Sequence, residues 1–107
     1  MHKPSANDAI QVLRKRRGMF LKRESVSDLF IFLTGYCYGL DVANPASFPH
    51  GEDLRAFRNW LASRSGIGPH VELESWLLAE STDEADAFRR FFEFWDEYLR
   101  ETGQGHG

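Results

Sequence analysis

Few residues of this chain have the type and spacing that catalysis or metal binding requires. The single cysteine, Cys37, lies between two tyrosines in a strongly apolar stretch, which favours a packed thiol over a nucleophile. No two of the four histidines have the i, i+4 spacing of a helical metal site. The motif HGED at residues 50–53 has no accompanying nucleophile, so the polar start of a helix is its simpler interpretation. The sequence predicts no catalytic residue, no metal site and no cofactor.

Charge is distributed unevenly along the chain. Residues 1–30 carry seven cations and three anions, whereas residues 71–107 carry three cations and ten anions, although the net charge of the whole chain is only −3. Such an asymmetry predicts a basic face and an acidic face that attract different partners. The alternative is that both sets of charges are the solvated sides of helices.

The basic residues cluster in the segment RKRRGMFLKR at residues 14–23. Their side chains can bind phosphate groups, or they can form the end of a first helix, where positive charge complements the helix dipole. No helix-turn-helix, zinc finger or aromatic sheet motif accompanies them, so nucleic-acid binding is not expected. The candidate residues of this basic segment are Arg14, Lys15, Arg16, Arg17, Lys22 and Arg23.

The acidic residues cluster in residues 72–86. An acidic surface can take the place of substrate phosphates in the basic active site of another protein. Acidic side chains are also favoured at helix starts, which leaves the solvated-face alternative open. The candidate partner-binding residues are Glu72, Glu74, Glu80, Asp83, Glu84 and Asp86.

A capping pattern of Ser25 with Asp28 introduces a long apolar segment, VSDLFIFLTGYCYGLDVA. Because apolar residues fall on every face of this segment, it is expected to form a central, mostly buried helix. Gly35 and Gly39 lie one helical turn apart, and each lowers helix stability relative to alanine. A close crossing with another helix is the expected reason for both glycines.

The remaining elements also have helical period. Asn7 or Asp8 is the expected N-cap of a first helix, and residues 52–65 form a helix that Gly66 ends. Residues 71–80 alternate like a strand at first but continue with helical spacing, which favours a helix because no second strand is available. Ser81 and Glu84 predict the capping box of a last helix. Its apolar stripe contains Phe88, Phe91, Phe92, Trp95, Tyr98 and Leu99.

Length and composition set the class of protein. A chain of 107 residues with 42% apolar residues is expected to form one all-α domain over residues 1–101, a compact bundle of about five helices, followed by a flexible glycine-rich tail at 102–107. One cysteine and the lack of a signal-peptide pattern favour the cytoplasm. The most apolar stretch, residues 26–40, is shorter than a bilayer span, so no membrane helix is expected.

Three blocks of the sequence resemble a group of small bacterial proteins. These blocks are RKRRGMFLK at residues 14–22, SVSDLFIFLTGYCYGL at residues 25–40 and STDEADAFRRFFEFWDEYL at residues 81–99. They are similar to an RKRPGMYLG start, a serine-led helix with GY and GL pairs, and a closing S.DE..AF..FFE..DE.L motif. Arg17 stands where that group has proline, and Lys22 where it has glycine.

Members of that group resemble immunity-type proteins, which are encoded beside secreted polymorphic toxins. The resemblance implies a cytoplasmic, non-enzymatic inhibitor that binds a cognate toxin, such as a nuclease. The oligomeric state is not predicted. The alternative is a regulatory or nucleic-acid-associated module that uses the basic segment.

Overall fold

The computed structural model describes residues 5–15, 24–43, 45 and 52–103. This part of the chain forms five α-helices and no strand, which confirms the expected all-α bundle. Residues 73–79 are helical, so the ambiguous segment is a helix. The helices are α1 (Ala6–Lys15), α2 (Val26–Ala43), α3 (Glu52–Ser65), α4 (Leu73–Ala79) and α5 (Glu84–Thr102).

The last helix, α5, lies at the centre of the bundle. It packs against α2, α3 and α4, while α1 packs against α2 and α3. The predicted apolar stripe of α5 is confirmed, because all six of its residues are buried. A complete stripe of large side chains gives one helix enough apolar surface to pack against three others.

Phe57 of α3 is the hub of an aromatic cluster against α5. Its ring lies edge-on to Phe91, Trp95 and Tyr98, with centroid separations of 5.5, 4.9 and 5.6 Å. The indole N–H of Trp95 donates to Oδ1 of Asn7 at 2.8 Å, so the polar edge of this buried ring is also satisfied. Edge-on aromatic pairs add to the stabilisation that burial alone provides.

The helix α2 is not buried on every face, contrary to the expectation from its sequence. Its buried residues, Val26, Leu29, Leu33 and Cys37, form one strip. The opposite side is open, and Ile31 there is 71% exposed. With a mean hydropathy of 1.2 and 18 residues, α2 is also long and apolar enough to cross a membrane by length and composition alone.

The glycines of α2 are not at a close helix crossing with any described residue. A Cβ atom built on Gly35 or Gly39 would meet nothing within 4 Å. Their backbone is ordinary helix, because only Gly66 and Gly103 among the described glycines have positive φ. Neither internal packing nor backbone conformation in the described part of the chain requires glycine at these two positions.

The helix starts differ in detail from the predicted caps. In α1 the N-cap is Ser5 rather than the predicted Asn7 or Asp8, and the backbone N–H of Ser5 donates to Oδ2 of Asp8 at 2.9 Å. Ser25 is the N-cap of α2 as predicted, since its Oγ accepts from the backbone N–H of Asp28 at 3.2 Å. In α5 the N-cap is Asp83 rather than Ser81. The Oγ atom of Ser81 is buried and has no hydrogen-bond partner among the described residues.

Two of the described helices end at a glycine with a left-handed backbone conformation. Gly66 ends α3 with φ of 72°, as predicted, and its N–H donates to Ala62 O at 2.8 Å. Gly103 caps α5 with φ of 73°, and its N–H donates to Leu99 O. Thr102, placed in the tail by the sequence, is thus still helical and Gly103 is the C-cap, whereas residues 104–107 of the predicted tail lie outside the described residues.

Candidate partner-binding surface

The six predicted acidic residues divide into two groups. The carboxylates of the first group hold parts of the fold together, and those of the second group surround α4. Glu84 belongs to the first group, because its carboxylate holds the start of another helix. Oε1 accepts from the hydroxyl of Ser25 at 2.9 Å and from the backbone N–H of Ser27 at 3.0 Å, and Oε2 accepts from the hydroxyl of Ser27 at 2.8 Å. A carboxylate at a helix N-terminus satisfies unpaired N–H groups and complements the dipole. Glu84 therefore joins α5 to α2.

Asp86 also serves the fold rather than a partner. Its Oδ2 accepts from the backbone N–H of Thr82 at 3.0 Å and from Nε of Arg90 at 3.2 Å, and its Oδ1 accepts from Arg89 at 3.0 Å. The contact with Arg90 is an i, i+4 ion pair. The hydrogen bond from the Thr82 backbone, helped by the charges of Arg90 and Arg89, holds the pKa of Asp86 below its usual value. This carboxylate closes the turn that leads into α5.

The second group surrounds the short helix α4. Glu72 and Glu80 are exposed and Glu74 is half-buried. Glu72 is the N-cap of α4, yet its side chain accepts no capping hydrogen bond. None of these three carboxylates forms an ion pair with a described residue. Asp83 is exposed but accepts from the backbone N–H of Asp86 at 2.8 Å.

These observations define an α4 acidic surface made of Glu72, Glu74 and Glu80. Glu72 and Glu80 flank this seven-residue helix and Glu74 lies in its first turn, so all three charges belong to one element that rises only about 10 Å along its axis. Val71 beside them is 42% exposed. The surface thus has negative charge and some apolar area that the described fold does not use.

Of the predicted basic residues, Arg14 is committed to the fold. Its Nη1 donates to Oδ1 of Asp96 at 2.8 Å, and its Nη2 donates to Phe92 O at 3.3 Å. The guanidinium also lies over the ring of Phe92, 5.0 Å from the centroid. Lys15 is exposed in the last turn of α1. The other predicted members, Arg16, Arg17, Lys22 and Arg23, lie outside the described residues.

The residues considered for catalysis do not form a reactive site in the described part of the chain. Cys37 is buried, and burial together with the charges of Asp53 and Asp41 raises the pKa of its thiol to about 11. A thiol with so high a pKa is a poor nucleophile at neutral pH. His70 is exposed in a turn, and the other histidines lie outside the described residues. Among the described residues, no group of three His, Cys, Asp or Glu side chains could hold a metal ion.

One surface was missed by sequence reasoning. The outer face of α2 exposes Ile31, Tyr38 and Val42, with exposed fractions of 71%, 70% and 63%. Beside it, a groove between α1 and α2 has a volume of about 240 Å³. The sequence signal for this surface was the presence of apolar residues on every side of α2. That pattern led instead to the prediction that the helix is mostly buried.

Comparisons of the chain with protein-family models, with curated proteins and with solved structures find no match.

Proposed function

We propose that this chain is a non-enzymatic binding protein of the immunity type, which occludes a cognate bacterial toxin in the cytoplasm. The observation that carries the proposal is the α4 acidic surface. Its three carboxylates are held on the domain without serving as caps or as ion-pair partners of described residues. Charges that the fold does not use are available to attract a cationic partner.

A toxin that acts on phosphate-containing substrates suits this surface. The active site of such an enzyme is basic, and carboxylates on an inhibitor can occupy the places of substrate phosphates. Attraction between the two surfaces also speeds association, which suits an inhibitor that must bind before the toxin acts. Glu84 and Asp86 are excluded from this contact surface because they hold helix starts and turns.

The second candidate, a nucleic-acid-associated module, would use the basic segment. Arg14 is already bound to Asp96 and Phe92, so within the described residues this segment offers Lys15 alone as an exposed cation. The other four cations of the segment lie outside the described residues, so the proposal stands on the α4 acidic surface alone.

Affinity capture from the native host tests the proposal. The full chain carrying a tag is expected to retain one basic toxin protein, and that protein is expected to be inactive in the complex and active after dissociation. Retention of nucleic acid that nuclease treatment removes would instead support the basic segment. Capture of a basic protein whose activity is the same in the complex and after dissociation would contradict inhibition.

A further inference from the structure

The short helix α4 depends on other elements for its position. It has seven residues, fewer than a helix needs to be stable in water without neighbours. Its N-cap, Glu72, has an extended backbone, with φ of −74° and ψ of 141°, and its side chain makes no capping hydrogen bond. In contrast, the side chain of Asp83 caps α5 and that of Ser25 caps α2. The start of α4 must therefore be held by a contact from elsewhere in the fold.

A β-turn leads into α4. The backbone N–H of Val71 donates to Gly68 O at 3.2 Å, which closes the turn. Pro69 occupies its second position, where the fixed φ of proline is favoured. Glu72 follows the turn directly, so the conformation of the turn sets where this carboxylate lies.

Arg58 of α3 binds both ends of this turn. Its Nη2 donates to Gly68 O at 3.1 Å and to Val71 O at 2.7 Å. Because a single nitrogen with two N–H groups serves both carbonyls, it ties the two ends of the turn to the same point on α3. Hydrogen bonds from a charged donor are stronger than those between neutral groups. The turn is therefore fixed relative to α3 by the side chain of Arg58.

The contribution of Arg58 to the α4 acidic surface is geometric rather than electrostatic. Its Nη2 bonds to the carbonyl of the residue before Glu72, and its guanidinium forms no ion pair with a described carboxylate. A cation beside an acidic surface weakens the attraction between that surface and a basic partner. By its charge alone, Arg58 would oppose the proposed function. Its two hydrogen bonds to the turn are the contribution that supports it.

We propose that Arg58 is the positioning residue of the α4 acidic surface, which it preorganises for binding by fixing the turn that precedes Glu72. The consequence for binding rests on the proposed function, whereas the positioning itself is a property of the isolated chain. A preorganised surface loses less conformational freedom when a partner binds. The effect is centred on the N-terminal end of α4, because Glu80 lies at the opposite end of the helix.

Amide hydrogen exchange of the isotopically labelled full chain, followed by NMR, tests the positioning without a partner. The two ends of α4 supply matched reporters, because the Trp76 N–H donates to Glu72 O and the Glu80 N–H donates to Trp76 O, both at 3.0 Å. In Arg58→Ala the Trp76 amide is expected to exchange about tenfold faster, while the Glu80 amide stays within about twofold of the wild type. Unchanged exchange at Trp76, or equal acceleration at both amides, would overturn the proposal.

Arg55→Ala is the control for the loss of charge. Arg55 lies one turn earlier on α3, is exposed, and has a side chain that makes no hydrogen bond or ion pair with a described residue. Both reporter amides are expected to stay within about twofold of the wild type in this variant. If Arg55→Ala accelerated exchange at Trp76 as much as Arg58→Ala does, charge rather than hydrogen bonding would hold the turn, and the proposal would be wrong.

Calorimetric titration of the captured partner tests the consequence for binding. By charge alone, Arg58→Ala should bind a basic toxin more tightly, because it removes a cation beside the acidic surface. Positioning predicts the opposite sign. Kd is expected to rise about fivefold, and the rise is expected to be much smaller when Glu72→Gln is already present than when Glu80→Gln is. Tighter binding by Arg58→Ala, or the same rise in both backgrounds, would refute the role of Arg58 in binding.

The two assays separate this proposal from the proposed function. If capture finds no toxin, the proposed function fails, while exchange at Trp76 still decides whether Arg58 positions α4. If Arg58→Ala leaves that exchange unchanged, the positioning fails, and toxin binding by the α4 acidic surface is unaffected.

Discussion

Replacing Glu84 with alanine is expected to destabilise the domain, although its carboxylate is only one of ten acids in the last third of the chain. The carboxylate accepts three hydrogen bonds from Ser25 and Ser27, at 2.8 to 3.0 Å. Alanine at position 84 leaves the Ser27 N–H without this acceptor and leaves the hydroxyl of Ser25 at a site that is 0% exposed. Both groups lie at the start of α2, so the loss weakens the contact between α2 and α5.

The size of the effect follows from these contacts. A hydrogen bond to a charged group contributes about 1.5 to 3 kcal/mol. The three bonds share one half-buried carboxylate and do not add fully, so we expect a loss of about 3 kcal/mol in the free energy of unfolding. For a domain of this length, a loss of that size lowers Tm by roughly 12 to 24 °C. Glu84→Gln keeps one acceptor oxygen and is expected to cost about half as much.

Urea unfolding followed by tryptophan fluorescence measures the difference directly. Glu80→Ala is the control, because that exposed carboxylate forms no hydrogen bond or ion pair with a described side chain, and it is expected to change stability by less than about 0.5 kcal/mol. If Glu84→Ala were as stable as Glu80→Ala, the bridge between α2 and α5 would contribute nothing, and Glu84 would return to the set of partner-binding candidates.

Three further predictions concern the core, the thiol and the turn before α5. Phe57→Ala should lower the free energy of unfolding by about 3 to 5 kcal/mol in a denaturant titration, because the ring is fully buried in the aromatic cluster. Cys37 should react slowly with a thiol reagent in the native protein and rapidly in denaturant, since its pKa is raised to about 11; equal rates would show an exposed thiol. Asp86 has a lowered pKa in the folded state, so its carboxylate stabilises the fold at neutral pH, and this contribution is lost as the pH falls through the folded pKa. The stability difference between the wild type and Asp86→Asn should therefore close in acid, below the ordinary value of 3.8; a difference that widened in acid would contradict the lowered pKa.

The elements predicted best from the sequence are those whose signal is local and complete. The stripe of α5 repeats over about three turns, so its helix and its buried face were both predicted. Gly66 was recognised as a stop because a glycine after an apolar helical pattern permits positive φ. Such features depend on neighbours within a few residues.

Features that depend on distant residues were not predictable in this way. Glu84 was assigned to the cap of its own helix, whereas the structure brings it to Ser25 and Ser27, which are 59 and 57 residues away along the chain. Arg14 was expected at a helix end, which is correct, but its partner Asp96 is 82 residues away. Capping rules state that the N–H groups at a helix start need an acceptor. They do not predict which residue, distant along the chain, supplies it.

The exposed face of α2 illustrates a second limit. An apolar residue on every side of a helix predicts burial only if enough other helices are available to cover it. Here α1, α4 and α5 pack against α2 on one side, and Tyr38 on the opposite side remains 70% exposed. Periodicity measures how apolar a face is, and the number of neighbouring helices decides whether it is covered.

The central claim is that the α4 acidic surface binds a basic toxin, and calorimetric titration of the captured partner tests it most directly. Glu72→Gln with Glu80→Gln removes two exposed charges from this surface, and Glu52→Gln with Glu93→Gln removes two exposed charges from other helices. The first variant is expected to raise Kd by about tenfold and to bind with a weaker salt dependence, while the control stays within about twofold of the wild type. Equal Kd values and equal salt dependence for the two variants would contradict the claim.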